Sequence, residues 1–135
     1  MIVFLDACAI IYRVEGIDPW NRRLQDELNR LRAAGGAQLA VSELSWMECR
    51  VKPLRDDNQA ALKLFQQFFT TEGLHIQPLD LAVIDHATRL RAAYRLKAAD
   101  ALQAASALAC GPNVHFVTND QRFIKVPDLI TVPLQ

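Results

Sequence analysis

A three-layer α/β/α sandwich around a mostly parallel central sheet is the fold this sequence predicts. Short β-branched runs alternate with stretches of helical spacing along the whole chain, and the first of these runs is apolar from end to end. Ile2 to Leu5 is such a run, stopped at once by Asp6, and it reads as a buried strand in mid-sheet. Over residues 19–34, Trp20, Leu24, Leu28 and Leu31 recur at helical spacing, and Gly35-Gly36 ends the helix by allowing positive φ. A brief strand follows at 38–41, then a helical segment at 43–51 that Pro53 cannot continue. Residues 58–69 form a helix whose apolar positions (Ala61, Leu62, Leu64, Phe65, Phe68, Phe69) exceed one stripe, so it has surface for self-association as well as for the core. His75 to Gln77 is a strand, and Asp80 caps a helix with Val83, Ala87, Leu90 and Tyr94 inward and Arg89, Arg91 and Arg95 outward. Residues 98–110 are small and apolar except mainly for Asp100, Gln103 and Ser106, which makes a buried helix ended by Gly111-Pro112-Asn113. Strands at 114–118 and 129–132 complete the sheet, with Asn119-Asp120 as a turn.

No repeat, low-complexity tract or linker composition interrupts the chain, so residues 1–135 are expected to form one domain. At 15.2 kDa, area scaling gives roughly 7,000 Å² of folded surface against roughly 22,000 Å² extended, enough burial for a core without staples. Apolar residues make up 51% and charged residues 22%, which excludes disorder for most of the chain. Fifteen Lys/Arg balance fifteen Asp/Glu, so net charge names no partner. Cys8, Cys49 and Cys110 form neither an even set nor CxxC pairs, which fits a reducing cytoplasm. No apolar run approaches the ~20 residues of a membrane span, and Asp6 interrupts what would be a signal peptide, so no membrane role is expected.

In open α/β sheets, ligands gather beyond the carboxyl ends of the strands. Asp6 directly follows IVFL and Asp120 follows HFVTN, which brings two carboxylates from distant sequence to one sheet edge. Each also has an ordinary reading, Asp6 as a helix cap and Asp120 as a turn residue. Asp100, near the start of the Ala-rich helix, is either a cap or a carboxylate aimed at the same edge, where burial would demand a cation or hydrogen bonds. Glu48 closes a capping box if the helix starts at Ser45, but lies mid-helix if it starts at Ser42. Were all four acids to converge, a pair 4 Å apart would repel by about 4 kcal/mol at an effective dielectric near 20. A hard divalent cation, Mg²⁺ or Mn²⁺, resolves that repulsion, and it suits hydrolysis of a phosphodiester. Fifteen basic residues then stand against eleven remaining acids. Arg50, Lys52 and Arg55, with Arg89, Arg91, Arg95 and Lys97, are either a phosphate-backbone path or solvated helix faces.

Motifs for other chemistries are missing: GxSxG, GxxxxGK[ST], GxGxxG and HExxH do not occur. His75, His86 and His115 lack ligand spacing, and Cys8 reads as a small buried residue before it reads as a reactive thiol. An aspartyl phosphatase using Asp6 would want a second acid two residues on, where Cys8 stands.

Four segments together, IVFLDACAIIY, VSELSWMECRVKPLR, LKAADALQAASAL and FVTNDQRF, resemble the PIN-domain nucleases, specifically the VapC-like toxins of bacterial toxin–antitoxin pairs. The order is the family's, and the resemblance spans essentially the whole chain. It implies a PIN-like fold and a Mg²⁺- or Mn²⁺-dependent endoribonuclease, commonly a homodimer, neutralised by a cognate antitoxin. By that resemblance Asp6, Asp100 and Asp120 hold metal, Glu48 completes the set or orients the attacking water, and Thr118 and Asn119 occupy the polar positions before the last acid. The chain departs from the pattern at Ala7-Cys8, where the family often has a small hydroxyl or amide residue. That departure motivates the alternative expectation, a catalytically silent module that keeps the fold to bind RNA or a protein.

Overall fold

The computed structural model describes residues 1–134. Five strands, β1 (Ile2–Leu5), β2 (Gln38–Ser42), β3 (His75–Gln77), β4 (His115–Thr118) and β5 (Ile130–Pro133), form one sheet in the order β3-β2-β1-β4-β5. Every pairing is parallel, with Phe4 opposite both Ala40 and Phe116. β1 is therefore the central strand, as its unbroken apolar run predicts. Its alternation splits the core in two: Val3 and Leu5 point to one face and Phe4 to the other, all three fully buried.

The Val3 face is covered by α1 (Ala7–Glu15), α2 (Trp20–Ala33) and α5 (Gln59–Phe69), through Ile10, Leu24, Leu28, Phe65 and Phe69. The Phe4 face is covered by α6 (Leu81–Tyr94) and α7 (Ala98–Ala109), through Val83, Ala87, Leu90, Ala101, Ala104 and Ala105. This is the three-layer α/β/α sandwich expected from sequence. The alanines let α7 lie close on the sheet and on α6, since they bury little volume and lose no side-chain entropy. Asp80 caps α6 by accepting from Val83 N at 2.9 Å, as expected.

Two local expectations differ from the structure. The segment 43–51 is not one helix: α3 (Leu44–Glu48) stops, and a separate turn of helix, α4 (Val51–Arg55), contains Pro53. Pro53 is tolerated because it stands third in α4, among the first-turn positions whose N–H groups have no partner inside the helix. After β4 the chain also makes an unanticipated 3-10 helix, Gln121–Lys125. Phe123 anchors it, buried against Phe116 with ring centroids 4.6 Å apart. On α5, Ala61, Phe65 and Phe69 are buried while Leu64 stays exposed, so its apolar surface does exceed what the core uses. Among the described residues, no helix is long and apolar enough to cross a membrane.

Candidate active site

From β1 the chain crosses to β2 on one side, and β4 later pairs on the other, so a crevice opens at the carboxyl ends of β1 and β4. Asp6 follows β1 immediately and Asp120 lies two residues past β4. Asp100 stands in the first turn of α7, and Glu48 is the last residue of α3, the helix that follows β2. All four acids line one pocket of about 290 Å³, together with Ala7, Cys8, Ile11, Gln103 and Phe123. At roughly 30 Å³ per water, that volume admits a hydrated cation and part of a phosphate. A larger cavity of about 630 Å³ near His86, Gly111 and Ile130 has Asp128 as its single acid, so size does not select the site.

One wall is buried and held by neutral donors. Asp6, 6% exposed, accepts at Oδ1 from Ala9 N and Cys8 Sγ, each at 3.0 Å, and at Oδ2 from Thr118 Oγ1 at 2.5 Å. Thr118 Oγ1 in turn accepts from Asp120 N at 3.0 Å, so one hydroxyl ties together the ends of β1 and β4. Burial raises the Asp6 pKa; the bonds from Cys8, Thr118 and Ala9 oppose the rise, and the charge of Asp120 adds to it. Asp6 is thus both the cap of α1 and a member of the acidic pocket; the two readings are not exclusive. Cys8 supplies a donor to Asp6 where neither Ala7 nor Cys8 offers a hydroxyl or amide side chain, and burial with the neighbouring Asp6 charge pushes its pKa up, which favours the thiol.

Glu48 is likewise raised, first by burial and then by the charges of Asp6 and Asp100, against a hydrogen bond from Gln103. Gln103, 4% exposed, donates through Nε2 to Glu48 Oε1 at 2.7 Å and to Ser45 Oγ at 2.9 Å. Its own Oε1 is buried with no hydrogen-bond partner among the described residues, so the amide is oriented by what it donates to. The capping box from Ser45 does not form. Instead Ser42 Oγ accepts from Leu44 N at 3.1 Å, and Glu48 ends α3 rather than lying in its middle.

The other wall is wetter and carries a cation. Asp120 Oδ1 accepts from Arg122 N at 2.9 Å, and Arg122 Nε meets both carboxylate oxygens at 3.0 and 2.9 Å. Arg122 Nη2 bonds Asp120 Oδ2 as well and reaches Asp100 Oδ2 at 3.4 Å. The hydrogen bond from Arg122 is the main reason that the Asp120 pKa lies below its ordinary value; Lys97 contributes a smaller pull. Asp100 does not cap α7, whose cap is Lys97, so its carboxylate is left to the pocket. Asn119 Nδ2 donates to Tyr12 Oη at 3.1 Å, fixing the loop to α1.

Oxygen donors from four carboxylates, a pocket wide enough for a hydrated ion, and a buried Asp6 and half-buried Glu48 with no cation beside them among the described residues suit a hard divalent cation. Among the described residues, no three His, Cys, Asp or Glu side chains stand close enough to grip an ion as placed, and the Arg122 guanidinium lies between two of the four acids. The fit therefore holds in donor type and space, and it requires Arg122 to yield. Sequence reasoning did not foresee Arg122, a single basic residue in an irregular turn without periodic signal. Gln103 left a trace, as a polar interruption of an apolar helix three residues after Asp100.

Fold and site together define an α/β/α domain with an acidic pocket at the carboxyl edge of a parallel sheet. The model of the PIN domain family matches residues 3–129, and the chain belongs to that family. A toxin–antitoxin complex from Klebsiella pneumoniae contains a chain of the same fold, with a TM-score of 0.74, 20% identity and 98% of each chain covered. VapBC2 from Rickettsia felis, bound to a DNA fragment from its promoter, gives 0.72 and 22% over 98% of each chain. FitAcB from Neisseria gonorrhoeae gives 0.70 and 17%, covering 98% of this chain and 97% of the other. No curated protein sequence matches the chain significantly.

Proposed function

We propose that this chain is a Mg²⁺- or Mn²⁺-dependent endoribonuclease, the toxin of a toxin–antitoxin pair. The observation that carries this reading is the convergence of Asp6, Glu48, Asp100 and Asp120, distant in sequence, on one pocket at the sheet edge of a PIN domain, a family generally of nucleases. In this reading the four carboxylates hold the metal, which when bound supplies Lewis-acid polarisation of the scissile phosphate and offsets its negative charge. Thr118 and Cys8 fix the Asp6 carboxylate, and Gln103 fixes Glu48. Glu48, lining the pocket and oriented by Gln103, is suited to orient the attacking water. Thr118 also holds the Asp120 backbone, and Asn119 ties that loop to Tyr12, so both support the site.

The RNA backbone would run along basic residues near the pocket, Lys97 among them, whose charge already acts on Asp120. An antitoxin partner is drawn from the toxin–antitoxin complexes among the structural neighbours, and a homodimer from the apolar surface of α5 that the core leaves uncovered. Cys8, Cys49 and Cys110 are free thiols, in keeping with a reducing cytoplasm. The silent-module alternative loses its motive, because the Cys8 thiol supplies the donor to Asp6.

Cleavage of a labelled single-stranded RNA panel with Mn²⁺, comparing wild type with Asp100→Asn purified identically and shown to be folded, tests the reading. Cleavage by wild type alone, abolished by chelator, is expected. Equal cleavage by both proteins, or intact RNA with both, would overturn it.

A further inference from the structure

Within the acidic pocket, positive charge is distributed unequally. Arg122 engages both oxygens of Asp120 and one of Asp100, whereas among the described residues Asp6 and Glu48 meet neutral donors only. The base of Arg122 is fixed: its backbone N–H is bonded to Asp120, and the adjacent Phe123 is locked against Phe116. Its tip is 53% exposed, so water competes for the ion pairs that hold it to Asp120 and Asp100. A cation that draws on Asp120 must use oxygens that the guanidinium now occupies, and one that also draws on Asp100 sits beside that guanidinium, so the two positive groups repel.

We propose that Arg122 is an exchangeable counter-ion, displaced from Asp100 and Asp120 by the divalent cation and then used, from its fixed base at the pocket, to grip the RNA phosphodiester. The inference rests on the metal-nuclease reading and deepens it by assigning a substrate-binding residue. Guanidinium is suited to both duties, because its planar fork pairs with carboxylate and phosphate alike, and a long side chain on an anchored backbone changes partner without moving the fold. Metal entry and RNA binding are thereby coupled: the ion that enters frees the group that holds the substrate.

Mn²⁺ affinity measured by calorimetry, together with steady-state RNA cleavage, tests this on wild type, Arg122→Met, Arg122→Lys and Asp100→Asn. Removing the competitor should tighten Mn²⁺ binding several-fold in Arg122→Met, with Arg122→Lys between it and wild type because charge is kept but the fork is lost. At saturating Mn²⁺, Arg122→Met should raise KM for RNA more than it lowers kcat. Unchanged or weaker Mn²⁺ affinity in Arg122→Met, with binding still lost in Asp100→Asn, would overturn the role of Arg122 and leave the metal site standing. Absence of Mn²⁺ binding in both wild type and Arg122→Met, or equal binding in wild type and Asp100→Asn, would overturn the metal reading and this inference with it.

Discussion

Asp6 and Asp120 leave neighbouring parallel strands at the same edge of the sheet, yet one carboxylate is sunk among neutral donors and the other lies under a guanidinium. The difference follows from position. β1 is central and runs straight into α1, so Asp6 is covered on both sides, whereas β4 opens into a 3-10 turn at the surface. Burial raises the pKa of Asp6, and pairing lowers that of Asp120, so the two acids act on stability with opposite sign. An unfolded chain releases the Asp6 proton at lower pH than the folded one, and ionised Asp6 therefore destabilises the fold increasingly as pH rises from the ordinary carboxylate range to the raised folded value. Asp120 stabilises the fold above its unfolded pKa, and that contribution fades as pH falls toward its depressed folded value. The site is thus built at the expense of stability on one wall and nearly without it on the other.

The widest separation should appear between function and fold. Asp6→Asn and Asp120→Asn should each lower RNA cleavage by at least about a hundredfold, as loss of a reaction-site group does. Full cleavage by either variant would remove that residue from the site. Thr118→Val, which keeps the shape but removes the donor to Asp6 and the acceptor for Asp120 N, should destabilise by about 1–3 kcal/mol in urea melts and reduce cleavage tenfold or more. A neutral effect on both would show that the hydroxyl does not join the two walls.

Smaller in size but sharper for the comparison is the pH dependence of the amide variants. Relative to wild type, Asp6→Asn should gain stability as pH rises out of the ordinary carboxylate range, and that gain should vanish in acid. Asp120→Asn should show no gain at pH 7 and a slight loss that also fades in acid. Thermal melts from pH 4 to 8 check both, and parallel curves for the two variants would erase the distinction between the walls. Smallest of all, Cys8→Ser should stay within about threefold of wild-type cleavage because the hydroxyl still donates to Asp6, while Cys8→Ala should fall further.

Much of this architecture is local and therefore legible. The stripe Leu24, Leu28 and Leu31, the Gly35-Gly36 stop, the Asp80 cap and the central IVFL strand each rest on neighbours in sequence. Asp6 and Asp120 were also within reach, since their chemistry follows from where strands end. The side chains that tune them were not: Thr118 meets Asp6 across 112 positions and Gln103 meets Glu48 across 55, distances over which periodicity carries no information. Ser45 shows the same failure in reverse. Its spacing to Glu48 satisfies a capping pattern, but the buried Gln103 amide claims its hydroxyl. Pro53 failed for a third reason, because a proline that breaks a long helix is harmless in the first turn of a new one.

The thiol beside Asp6 has a bearing on oxidative chemistry. Oxidants and alkylating reagents attack thiolate rather than thiol, and both burial and the carboxylate next to it suppress thiolate at Cys8. Oxidation at Cys8 is thereby disfavoured, and the residue serves as a hydrogen-bond donor of larger radius than a hydroxyl.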